Sequence, residues 1–451
     1  MLTKEEIIRQ IRERMNIVSL NKTQQLVLEC WRNRDDDIIV YSPTGSGKTL
    51  SFVIPILLTV NGESNCVEAA VITPSRELAL QVFHVIKTIN PDTKVACCYG
   101  GHKSADEINT LKSNPNIIIA TPGRLLDHIK RENVDLSKAK CLVLDEFDKS
   151  LELGFTEEMK SIMKHCPTQS RHILTSATRI KEIPAFVNLK HPFEIDNLDD
   201  KNLVVDSRIT LWAVKSHSSK LDTLLELLFN IPDEKTIIFS NSRDTAQILY
   251  EKLSRKNISL TLYHGAMEQK EREKAVAMFN NGSALVISAT DLAARGLDIA
   301  DIKHIVHYDL PLSQEVFTHR NGRTARVDAT GDVYLIIEKD ESLPDYASDA
   351  QAFHLNSTVK NLKQSRIGTI HINAGKKEKV SRGDIVGFFA TNTNVVNPSE
   401  IGVIDVFDHY SLVAVPRHKI DDIIKSVSPF KLKKQKVKLS ESLVQLKFSR
   451  K

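Results

Sequence analysis

Short apolar runs rich in β-branched residues alternate with amphipathic stretches along most of this chain. In the first half, the runs that predict buried strands are residues 37–41, 69–73, 117–120, 141–144 and 172–174. The alternation stops at the polar, acid-rich residues 196–206, and it begins again with predicted strands at 236–239, 259–263, 284–288, 304–308 and 332–337. Buried runs separated by helical patterns are typical of a parallel sheet with crossover helices. The pattern therefore predicts two similar α/β domains joined by a linker.

A different pattern follows the polar residues 339–364, part of which we expect to complete the second domain as a helix. Strand-like runs occupy residues 369–375, 401–407, 412–415 and 434–439, and helical runs occupy 382–390 and 418–427. The resulting β-α-β-β-α-β order is typical of a small α+β domain of the RRM type. We therefore predict three domains, at 1–197, 207–362 and 366–440, followed by a basic tail at 441–451.

Composition favours an intracellular protein without a membrane partner. Of 451 residues, 41% are hydrophobic and 26% are charged, as in ordinary globular proteins. The longest apolar run of the N-terminal half, residues 52–60, is far shorter than the ~20 residues that cross a bilayer. Residues 1–15 lack the apolar core of a signal peptide. The six cysteines form no C-x-x-C pair, so we expect reduced thiols in a cytoplasmic protein.

Basic residues are concentrated in the last fifth of the chain. From Arg366 onward, 16 Lys and Arg stand against 8 Asp and Glu, a net charge of +8. The first 365 residues hold 45 basic and 49 acidic residues, a net charge of −4. A basic terminal module on a nearly neutral body predicts a polyanionic partner, with nucleic acid ahead of a membrane.

A loop of small residues follows the strand predicted at 37–41 and precedes an apolar helix. The loop is Ser42-Pro43-Thr44-Gly45-Ser46-Gly47-Lys48-Thr49. In a phosphate loop of this kind, backbone N–H groups at a helix N-terminus surround the phosphates of a nucleotide. We expect Lys48 to reach the β- and γ-phosphates of ATP and Thr49 to bind Mg²⁺. The first position is Ser42, where the general pattern has glycine.

An acid-rich tetrapeptide, Asp145-Glu146-Phe147-Asp148, follows the strand predicted at 141–144. A carboxylate at the end of a buried strand can hold the Mg²⁺ of a nucleotide, and its neighbour can orient the attacking water. We assign these roles to Asp145 and Glu146. Such a tetrapeptide is by itself more typical of a solvated loop, but the apolar run before it and the phosphate loop upstream favour the catalytic interpretation.

Together these motifs resemble those of the DEAD-box RNA helicases of helicase superfamily 2, with Asp-Glu-Phe-Asp in place of the family's Asp-Glu-Ala-Asp. Further signatures follow in the family's order: Pro74-Ser75-Arg76-Glu77-Leu78-Ala79, Gly100-Gly101, Thr121-Pro122-Gly123-Arg124, Ser176-Ala177-Thr178, Gln269-x-x-Arg272, and the segments 289–298 and 319–326. The resemblance covers roughly residues 1–360. It implies two tandem RecA-like parallel-sheet domains of the P-loop NTPase class, RNA-stimulated hydrolysis of ATP, and the cofactors ATP and Mg²⁺.

The resemblance also implies roles for single residues at the ATP site. Gln25, by its spacing from the phosphate loop, takes the position of the family's adenine-reading glutamine, whose amide can pair with a donor and an acceptor on adenine. Where the family has an aromatic residue stacked on the base, this chain has Ile8. Asp298 matches the residue that contacts the ribose. Arg323 and Arg326 match the arginine fingers, whose guanidinium groups suit the charge on transferred phosphoryl oxygens.

Other positions match residues that link the ATP site to RNA in the family. Those implied to couple the two domains are Asp148, Ser176, Thr178 and His319. Those implied to contact RNA are Pro74, Arg76, Gly101, Thr121, Arg124, Gln269, Arg272 and Thr290. Contacts to phosphates and 2′-hydroxyls account for binding with little regard to sequence.

The C-terminal module is similar, at residues 373–377 and 381–387, to the RNA-binding tail of DbpA-type helicases. In that type the tail anchors the enzyme to a hairpin of large-subunit (23S) ribosomal RNA. The strand at 412–415 has no aromatic residue and the first strand offers only His371, so stacking of bases on the sheet is not favoured. We expect RNA to bind through basic residues, namely Lys376, Lys377, Lys379, Arg382 and the lysines of 431–438.

The sequence therefore predicts an ATP-dependent RNA helicase in which ATP and RNA close the two RecA-like domains, bend one strand and separate short duplexes. We expect a monomer with structured ribosomal RNA, and the pre-ribosomal large subunit, as its partners. The alternatives are a general RNA chaperone of the same family, a DNA helicase, and an ATP-gated RNA clamp that scarcely turns over. Glu146, Arg323 and Arg326 argue against the clamp, because a clamp need not retain catalytic residues.

Overall fold

The computed structural model describes residues 2–43, 46–100, 104–198, 209–293, 302–324, 330–356 and 364–442. These residues form two compact units, 2–198 and 209–442, each with its own sheets. Five residues with predicted roles lie outside the described ranges, namely Thr44, Gly45, Gly101, Asp298 and Arg326. Within the described ranges, no helix combines the length and the apolar character that crossing a membrane requires.

The first unit is a parallel sheet with helices on both faces. Its elements are α1 (Lys4–Met15), α2 (Lys22–Asn33), β1 (Ile38–Tyr41), α3 (Lys48–Thr59), β2 (Ala69–Ile72), α4 (Arg76–Ile89), β3 (Val95–Cys98), α5 (Ser104–Leu111), β4 (Ile117–Ala120), α6 (Pro122–Lys130), β5 (Cys141–Leu144), α7 (Phe147–Glu152), α8 (Thr156–Met163), β6 (Arg171–Ser176) and β7 (Phe193–Asp196). Successive strand residues point to opposite faces, so Ile38 and Val40 join one core and Ile39 and Tyr41 join the other.

The strand order of this sheet is β3-β4-β2-β5-β6-β1-β7, with every pair parallel. The central strands β1, β2, β4 and β5 are buried at every position, which explains their uninterrupted apolar sequences. Burial raises the pKa of the Cys98 and Cys166 thiols to about 12. These thiols therefore stay protonated at neutral pH, and all six cysteines are free.

The second unit begins with another parallel sheet, ordered β10-β11-β9-β12-β13-β8-β14. Its elements are β8 (Ile209–Lys215), α9 (Lys220–Asn230), β9 (Thr236–Phe239), α10 (Arg243–Ser254), β10 (Leu260–Tyr263), α11 (Gln269–Asn280), β11 (Val286–Ala289), β12 (His304–His307), α12 (Gln314–Asn321), β13 (Gly331–Ile337) and β14 (Gln351–Ala352). The helix expected within 339–364 is absent from the part of that region that is described. The chain there forms a 3₁₀ turn and the edge strand β14, which pairs with β8.

The C-terminal module adds a four-stranded antiparallel sheet to the second unit, in the order β16-β17-β15-β20. Its elements are β15 (Ile367–Ile372), α13 (Arg382–Asn392), β16 (Ile404–Val406), β17 (Ser411–Pro416), α14 (Ile420–Val427), β18 (Lys431–Leu432), β19 (Gln435–Lys436) and β20 (Leu439–Glu441). The predicted strand at 434–439 is wrong, because residues 431–436 form a separate hairpin and the fourth strand starts at Leu439. The predicted fold class, two tandem parallel-sheet domains and a small α+β domain, is confirmed.

Candidate functional site

Strand order divides the carboxyl ends of the first sheet into two groups. β1, β6 and β5 are neighbours on one half of the sheet, and β2, β4 and β3 are neighbours on the other. Ligands of open parallel sheets bind at the carboxyl ends of the strands. The predicted ATP-site and coupling residues of this unit follow or end β1, β5 and β6, apart from Gln25 before β1, whereas its predicted RNA residues follow β2, β3 and β4. The topology therefore gathers most of each predicted set on its own half of one sheet edge.

The phosphate loop is held in shape by its own side chains and by β6. The Ser42 N–H donates to the Ser176 carbonyl at 3.0 Å, which extends the β1–β6 pairing by one residue. The buried Ser42 hydroxyl donates to Ser46 Oγ at 2.7 Å. Lys48 Nζ donates to the Ser42 carbonyl at 2.5 Å. Serine at position 42 thus closes the loop with a hydrogen bond that glycine could not make.

The end of the loop requires glycine. Gly47 has φ +82°, in the region that favours glycine, and a Cβ there would lie 2.7 Å from Gln24 Nε2. Thr49, in the first turn of α3, is half-buried, and Pro43 is buried. The loop therefore leads directly into the N-terminus of α3, where backbone N–H groups can bind phosphate.

The N-terminus of α2 forms a second wall of the loop, and it brings Gln24 rather than Gln25 to that loop. Asn21 caps α2 and donates from Nδ2 to the Ser46 carbonyl at 2.8 Å. The buried Gln24 donates from Nε2 to the Gly47 carbonyl at 3.1 Å. Gln25, predicted to read adenine, is exposed, and its amide donates to a carbonyl before α2. At 3.6 residues per helical turn, adjacent side chains diverge, so only Gln24 reaches the loop.

Asp145 lies directly after β5 with its carboxylate buried. Thr175 of β6 donates from Oγ1 to Asp145 Oδ1 at 2.6 Å and accepts from the Glu146 N–H at 3.1 Å. Burial raises the pKa of Asp145, while the Thr175 hydrogen bond and the Lys48 charge act in the opposite sense. Sequence reasoning missed Thr175, because a threonine within an apolar strand gives no motif signal.

The residues after Asp145 form the corner between β5 and α7. Glu146 has φ +46°, a left-handed conformation that is uncommon for non-glycine residues and is enriched at functional sites. Asp148 accepts at Oδ2 from Thr178 Oγ1 at 2.9 Å, and Ser176 Oγ accepts from the Thr178 N–H at 3.2 Å. The buried Asp148 Oδ1 has no hydrogen-bond partner within the described residues. Three of the predicted coupling residues therefore meet beside Glu146.

On the other half of the edge, one buried glutamate organises the predicted RNA residues. The Arg76 guanidinium lies 4.4 Å from the Tyr99 ring centroid, in cation–π range. Arg124 Nε donates to the Tyr99 carbonyl at 3.1 Å and lies 3.0 Å from Glu107 Oε2. Glu107 also accepts from the Tyr99 N–H at 2.9 Å and pairs with His128 at 2.7 Å. Glu107, which sequence reasoning missed, therefore fixes both Arg124 and the Tyr99 backbone.

The other predicted RNA residues are spread over both units. Pro74 is buried just before α4, and Thr121 is the N-cap residue of α6. In the second unit, Gln269 and Arg272 lie three residues apart at the start of α11, and both are half-buried. Thr290 follows β11 directly. Each of these residues lies at or near the end of a strand or helix, the usual position of binding residues in α/β folds.

The segment 319–324 is buried, and it contains His319 and Arg323, two of the residues with predicted roles. His319 of α12 lies with Nδ1 3.7 Å from Glu315 Oε1. Arg323 is buried just after α12. Asp298 and Arg326 lie outside the described residues, so the ribose contact and the second arginine finger stay predictions.

Arg320, which lies between His319 and Arg323 in the sequence, has a hydrogen-bond network of its own. Its side chain is fully buried and donates from Nε to Asp291 Oδ1 at 2.6 Å. The two terminal nitrogens donate to the Asp309 carbonyl at 3.0 Å and to Asn241 Oδ1 at 2.7 Å. Arg320 therefore ties the ends of several strands of the second sheet together, a role that the sequence motif did not reveal.

We expect Arg320→Ala to lower the free energy of unfolding of the second unit by about 3 kcal/mol, because it leaves buried partners of a charged group unpaired. Native-state hydrogen exchange of the β9 amides measures this effect. Arg255→Ala, at an exposed arginine, is the matched control and should change the value by less than about 0.5 kcal/mol. Equal exchange in both variants would show that the network does not stabilise the sheet.

The basic residues that the sequence assigns to RNA in the module are exposed around one loop, and they are Lys376, Lys377, Lys379 and Arg382. The N–H groups of Lys376 and Lys377 donate to the carbonyls of Phe407 and Asp408, each at 2.8 Å. A Cβ at Gly375 would lie 2.1 Å from the Phe407 carbonyl oxygen, so only glycine permits this approach. The loop is therefore fixed against the β16–β17 turn.

The β18–β19 hairpin adds charge to the same end of the module. Its turn residues, Lys433 and Lys434, have φ of +49° and +68°, as two-residue hairpin turns require. Lys433 Nζ donates to the Lys379 carbonyl at 2.7 Å and pairs with Asp384 at 2.9 Å. We call this surface the basic end of the module, and its exposed residues are Lys376, Lys377, Lys379, Arg382, Lys433, Lys434 and Lys436.

These features define a class of protein: a nucleotide hydrolase with a phosphate loop and two RecA-like units, extended by a basic module. Comparison with protein families agrees. The DEAD/DEAH box helicase family model matches residues 21–186, and the helicase conserved C-terminal domain matches residues 219–328. The DbpA RNA binding domain matches residues 369–441.

Known relatives share most of the chain. The DEAD-box ATP-dependent RNA helicase RhpA of Helicobacter pylori is 32% identical over 375 residues, which is 81% of this chain and 74% of that protein. The ATP-dependent RNA helicase DbpA of Bacillus subtilis is 30% identical over 454 residues, which is 93% of this chain and 94% of that protein. The chain therefore belongs to the DEAD-box ATP-dependent RNA helicases, and within them to the DbpA type. It is an RNA-stimulated ATPase that binds ATP and RNA.

Solved structures of similar proteins hold RNA and a nucleotide analogue. Dbp5 of S. cerevisiae bound to RNA and ADP BeF3 has a TM-score of 0.66 and 27% identity, over 78% of this chain and 93% of that one. The DEAD-box helicase Mss116 bound to ssRNA and UDP-BeF has a TM-score of 0.69 and 25% identity, over 79% of each chain. The fold of this protein is thus one that binds RNA and a nucleotide in its relatives.

Proposed function

We propose that this helicase hydrolyses ATP with Mg²⁺ to remodel large-subunit (23S) ribosomal RNA, to which its C-terminal module anchors it. The observation that carries the proposal is the basic end of the module, a group of exposed cations built around a fixed loop at one end of a DbpA-type domain. We further propose that it works as a monomer in the cytoplasm, on the pre-ribosomal large subunit. The alternative function within the family is that of a general RNA chaperone, whose C-terminal module would have no preferred RNA.

At the ATP site, we assign phosphate binding to the loop before α3. In ATP binding, Lys48 Nζ exchanges the Ser42 carbonyl for phosphate oxygens. The Thr49 hydroxyl and the Asp145 carboxylate would hold Mg²⁺, which prefers oxygen ligands. A cation beside Asp145 opposes the rise in pKa that burial causes there. When bound, Mg²⁺ neutralises charge on the phosphate oxygens.

Glu146 accepts a proton from the attacking water in this proposal. Its left-handed backbone places the carboxylate at the corner after β5, one residue from Asp145. The adjacent Asp148–Thr178 hydrogen bond ties this corner to the end of β6. RNA binding and ATP hydrolysis are thereby linked through one sheet edge, on whose other half Glu107 holds Arg124. Arg323 and Arg326 supply positive charge to the γ-phosphate when the domains close.

We expect adenine discrimination to depend on Gln24. Because position 8 is isoleucine, no aromatic ring stacks on the base there, and hydrogen bonds from a glutamine amide become the main source of selectivity. Gln24→Ala should reduce the preference for ATP over GTP by about tenfold or more, the worth of one or two hydrogen bonds. Competition between the two nucleotides in the ATPase assay measures it. Gln25→Ala is the matched control, and a reduced preference in that variant alone would restore the assignment of Gln25.

The anchor is tested on the full chain. Lys376→Gln, Lys377→Gln and Arg382→Gln together should weaken binding to a large-subunit ribosomal hairpin. They should also reduce the slope of log affinity against log salt by about one unit for each phosphate that the protein no longer neutralises. Filter binding across a salt series, with a scrambled RNA of equal length beside the hairpin, gives both quantities.

The matched control removes the same charge elsewhere. Lys252→Gln, Lys256→Gln and Lys425→Gln change three exposed lysines outside the basic end and should leave hairpin binding nearly unchanged. If both triple variants bind the hairpin equally, or if the wild-type chain binds hairpin and scrambled RNA equally, the anchor is not at the basic end or has no preferred RNA. The general RNA chaperone would then be the better interpretation.

A further inference from the structure

The two faces of the module's sheet have different partners. Ile370 and Ile372 of β15 and Val413 and Val415 of β17 are buried in the module's own core, together with α13 and α14. Because successive strand residues point to opposite faces, Leu412 lies on the other face. In ordinary RRM domains, that other face is the one on which RNA bases stack.

Here that face is covered by α11 of the RecA-like part of the second unit. Leu412 and Tyr410 are buried together with Ala277 of α11, and Phe407 packs against them. Tyr410 Oη donates to Glu273 Oε2 at 3.3 Å. The rings of Phe407 and Tyr410 stack at 4.5 Å between centroids. The aromatic surface that could stack on bases is therefore occupied by protein.

A buried polar contact adds to this apolar one. Asn281, just after α11, donates from Nδ2 to Thr369 Oγ1 at 3.0 Å, and Thr369 Oγ1 donates to Ser283 Oγ at 2.8 Å. Arg417 of the module donates to the Ser283 carbonyl at 2.9 Å. Separating the two parts would leave these buried groups without partners, which is costly unless water replaces every bond.

The helix α11 is shared between two functions. Glu273, Ala277 and Asn281 recur at a spacing of four residues, so they form one stripe along the helix, and this stripe meets the module. Gln269 and Arg272, to which we assign RNA contacts, start the same helix. The single helix α11 therefore carries residues assigned to RNA contact and the surface against which the module packs.

We propose that α11 and the covered sheet face form a fixed mount, which holds the basic end of the module at a set distance from the RNA-contacting residues of α11. The mount comprises Glu273, Ala277, Asn281, Thr369, Phe407, Tyr410 and Leu412. This inference rests on the proposed anchoring function. A rigid connection between two binding sites favours one spacing between their ligands, whereas a loose tether accepts many spacings. The mount thus selects which stretch of RNA is unwound.

The first test varies the distance between anchor and duplex. Full-length protein is given RNAs in which the ribosomal hairpin is joined to a short duplex by single-stranded spacers of increasing length, and ATP-dependent strand separation is measured. The wild-type chain should show a sharp optimum, about tenfold above the other spacers. Tyr410→Ala should flatten this profile while hairpin affinity and maximal ATPase activity stay within about twofold of the wild type. Tyr410→Phe, the matched control, retains the ring stack and should keep the optimum.

The second test locks the mount and needs no hairpin. Asn281→Cys and Thr369→Cys in one chain place a thiol on each side of the buried contact, and the loss of two free thiols on oxidation shows that the two have joined. The oxidised protein should keep RNA-stimulated ATPase activity and unwinding within about twofold of its reduced form on any RNA. If oxidation abolishes unwinding and reduction restores it, the module must separate from α11 during unwinding, and the fixed mount is wrong.

The two tests separate failure of the mount from failure of the anchor. If the wild-type chain binds hairpin and scrambled RNA equally, the anchoring function fails, and the lock still decides whether the contact persists during turnover. If Tyr410→Ala lowers hairpin affinity about tenfold while Tyr410→Phe does not, the sheet face binds RNA itself. That result, or an unchanged spacer profile in Tyr410→Ala, would overturn the mount.

Discussion

Glu146→Gln is expected to lower RNA-stimulated ATP hydrolysis by about 10²–10⁴-fold, the usual contribution of a positioned general base. The amide has the shape of the carboxylate but cannot take a proton from water. Binding of ATP and RNA should be largely retained, because Lys48 and the loop are unchanged. The variant should therefore accumulate as a complex with both ligands, which single-turnover hydrolysis and RNA filter binding with ATP detect together.

The control for this variant is a glutamate outside the site. Glu157→Gln, at an exposed position of α8, should hydrolyse ATP at the wild-type rate. Near-normal turnover in Glu146→Gln would contradict the water-orienting role. Failure of Glu146→Gln to bind ATP would instead show that the corner after β5 is structural.

The second large effect is expected for Arg326→Ala. Arginine fingers on transferred phosphoryl groups accelerate hydrolysis by about 10³–10⁵-fold, so the variant should bind ATP and RNA yet scarcely turn over. Arg326→Lys should restore little, because an ammonium group lacks the planar pair of donors that spans two phosphoryl oxygens. Rapid-quench hydrolysis at saturating ATP and RNA measures the chemical step itself.

Arg320→Ala is the comparison that gives this result its meaning, since it removes a neighbouring arginine that the structure shows to be bonded within its own unit. Arg326→Ala should leave the hydrogen exchange of β9 unchanged, whereas Arg320→Ala should accelerate it. Wild-type hydrolysis by Arg326→Lys would reduce the role of Arg326 to its charge alone.

Sequence patterns predict the central strands well and the edge strands poorly. β1, β2, β4 and β5 are buried on both faces, so their sequences are unbroken apolar runs. The edge strand β7 is partly exposed, and both residues of the edge strand β14 are exposed. Both strands mix polar with apolar residues, so they carry no such run. The run at 434–439 alternates like one strand, but the left-handed Lys433 and Lys434 turn residues 431–436 into a hairpin.

The site was predictable where chemistry follows a local motif. The phosphate loop and Asp145-Glu146-Phe147-Asp148 need only a strand, a turn and a helix in sequence. Thr175 bonds to residues 29 and 30 positions away, and the partners of Glu107 lie 8 to 21 positions away. The partners of Arg320 lie 11 to 79 positions away, so only the fold brings these groups into contact. Their types, a threonine, a glutamate and an arginine, are too common to be singled out alone.

The prediction for Gln25 was made by counting residues back from the phosphate loop, and the structure brings Gln24 to that loop instead. A local signal was present at residues 21–24, where Asn-x-x-Gln before an apolar run is the pattern of a capping box. The structure has that capping box, with Asn21 as N-cap and Gln24 three residues later. Helix capping therefore fixes the phase of α2, and with it which glutamine reaches the loop, more reliably than distance along the chain.

In the proposed function, one chain joins an RNA-stimulated ATPase to a module that selects the RNA. Its most direct test is steady-state ATP hydrolysis by the wild-type protein as RNA is titrated, comparing a ribosomal-hairpin RNA with a scrambled RNA of equal length. We predict saturable stimulation by both RNAs, with half-maximal activity at a concentration about tenfold or more lower for the hairpin RNA. Identical titration curves for the two RNAs, or hydrolysis that does not change when RNA is added, would contradict this claim.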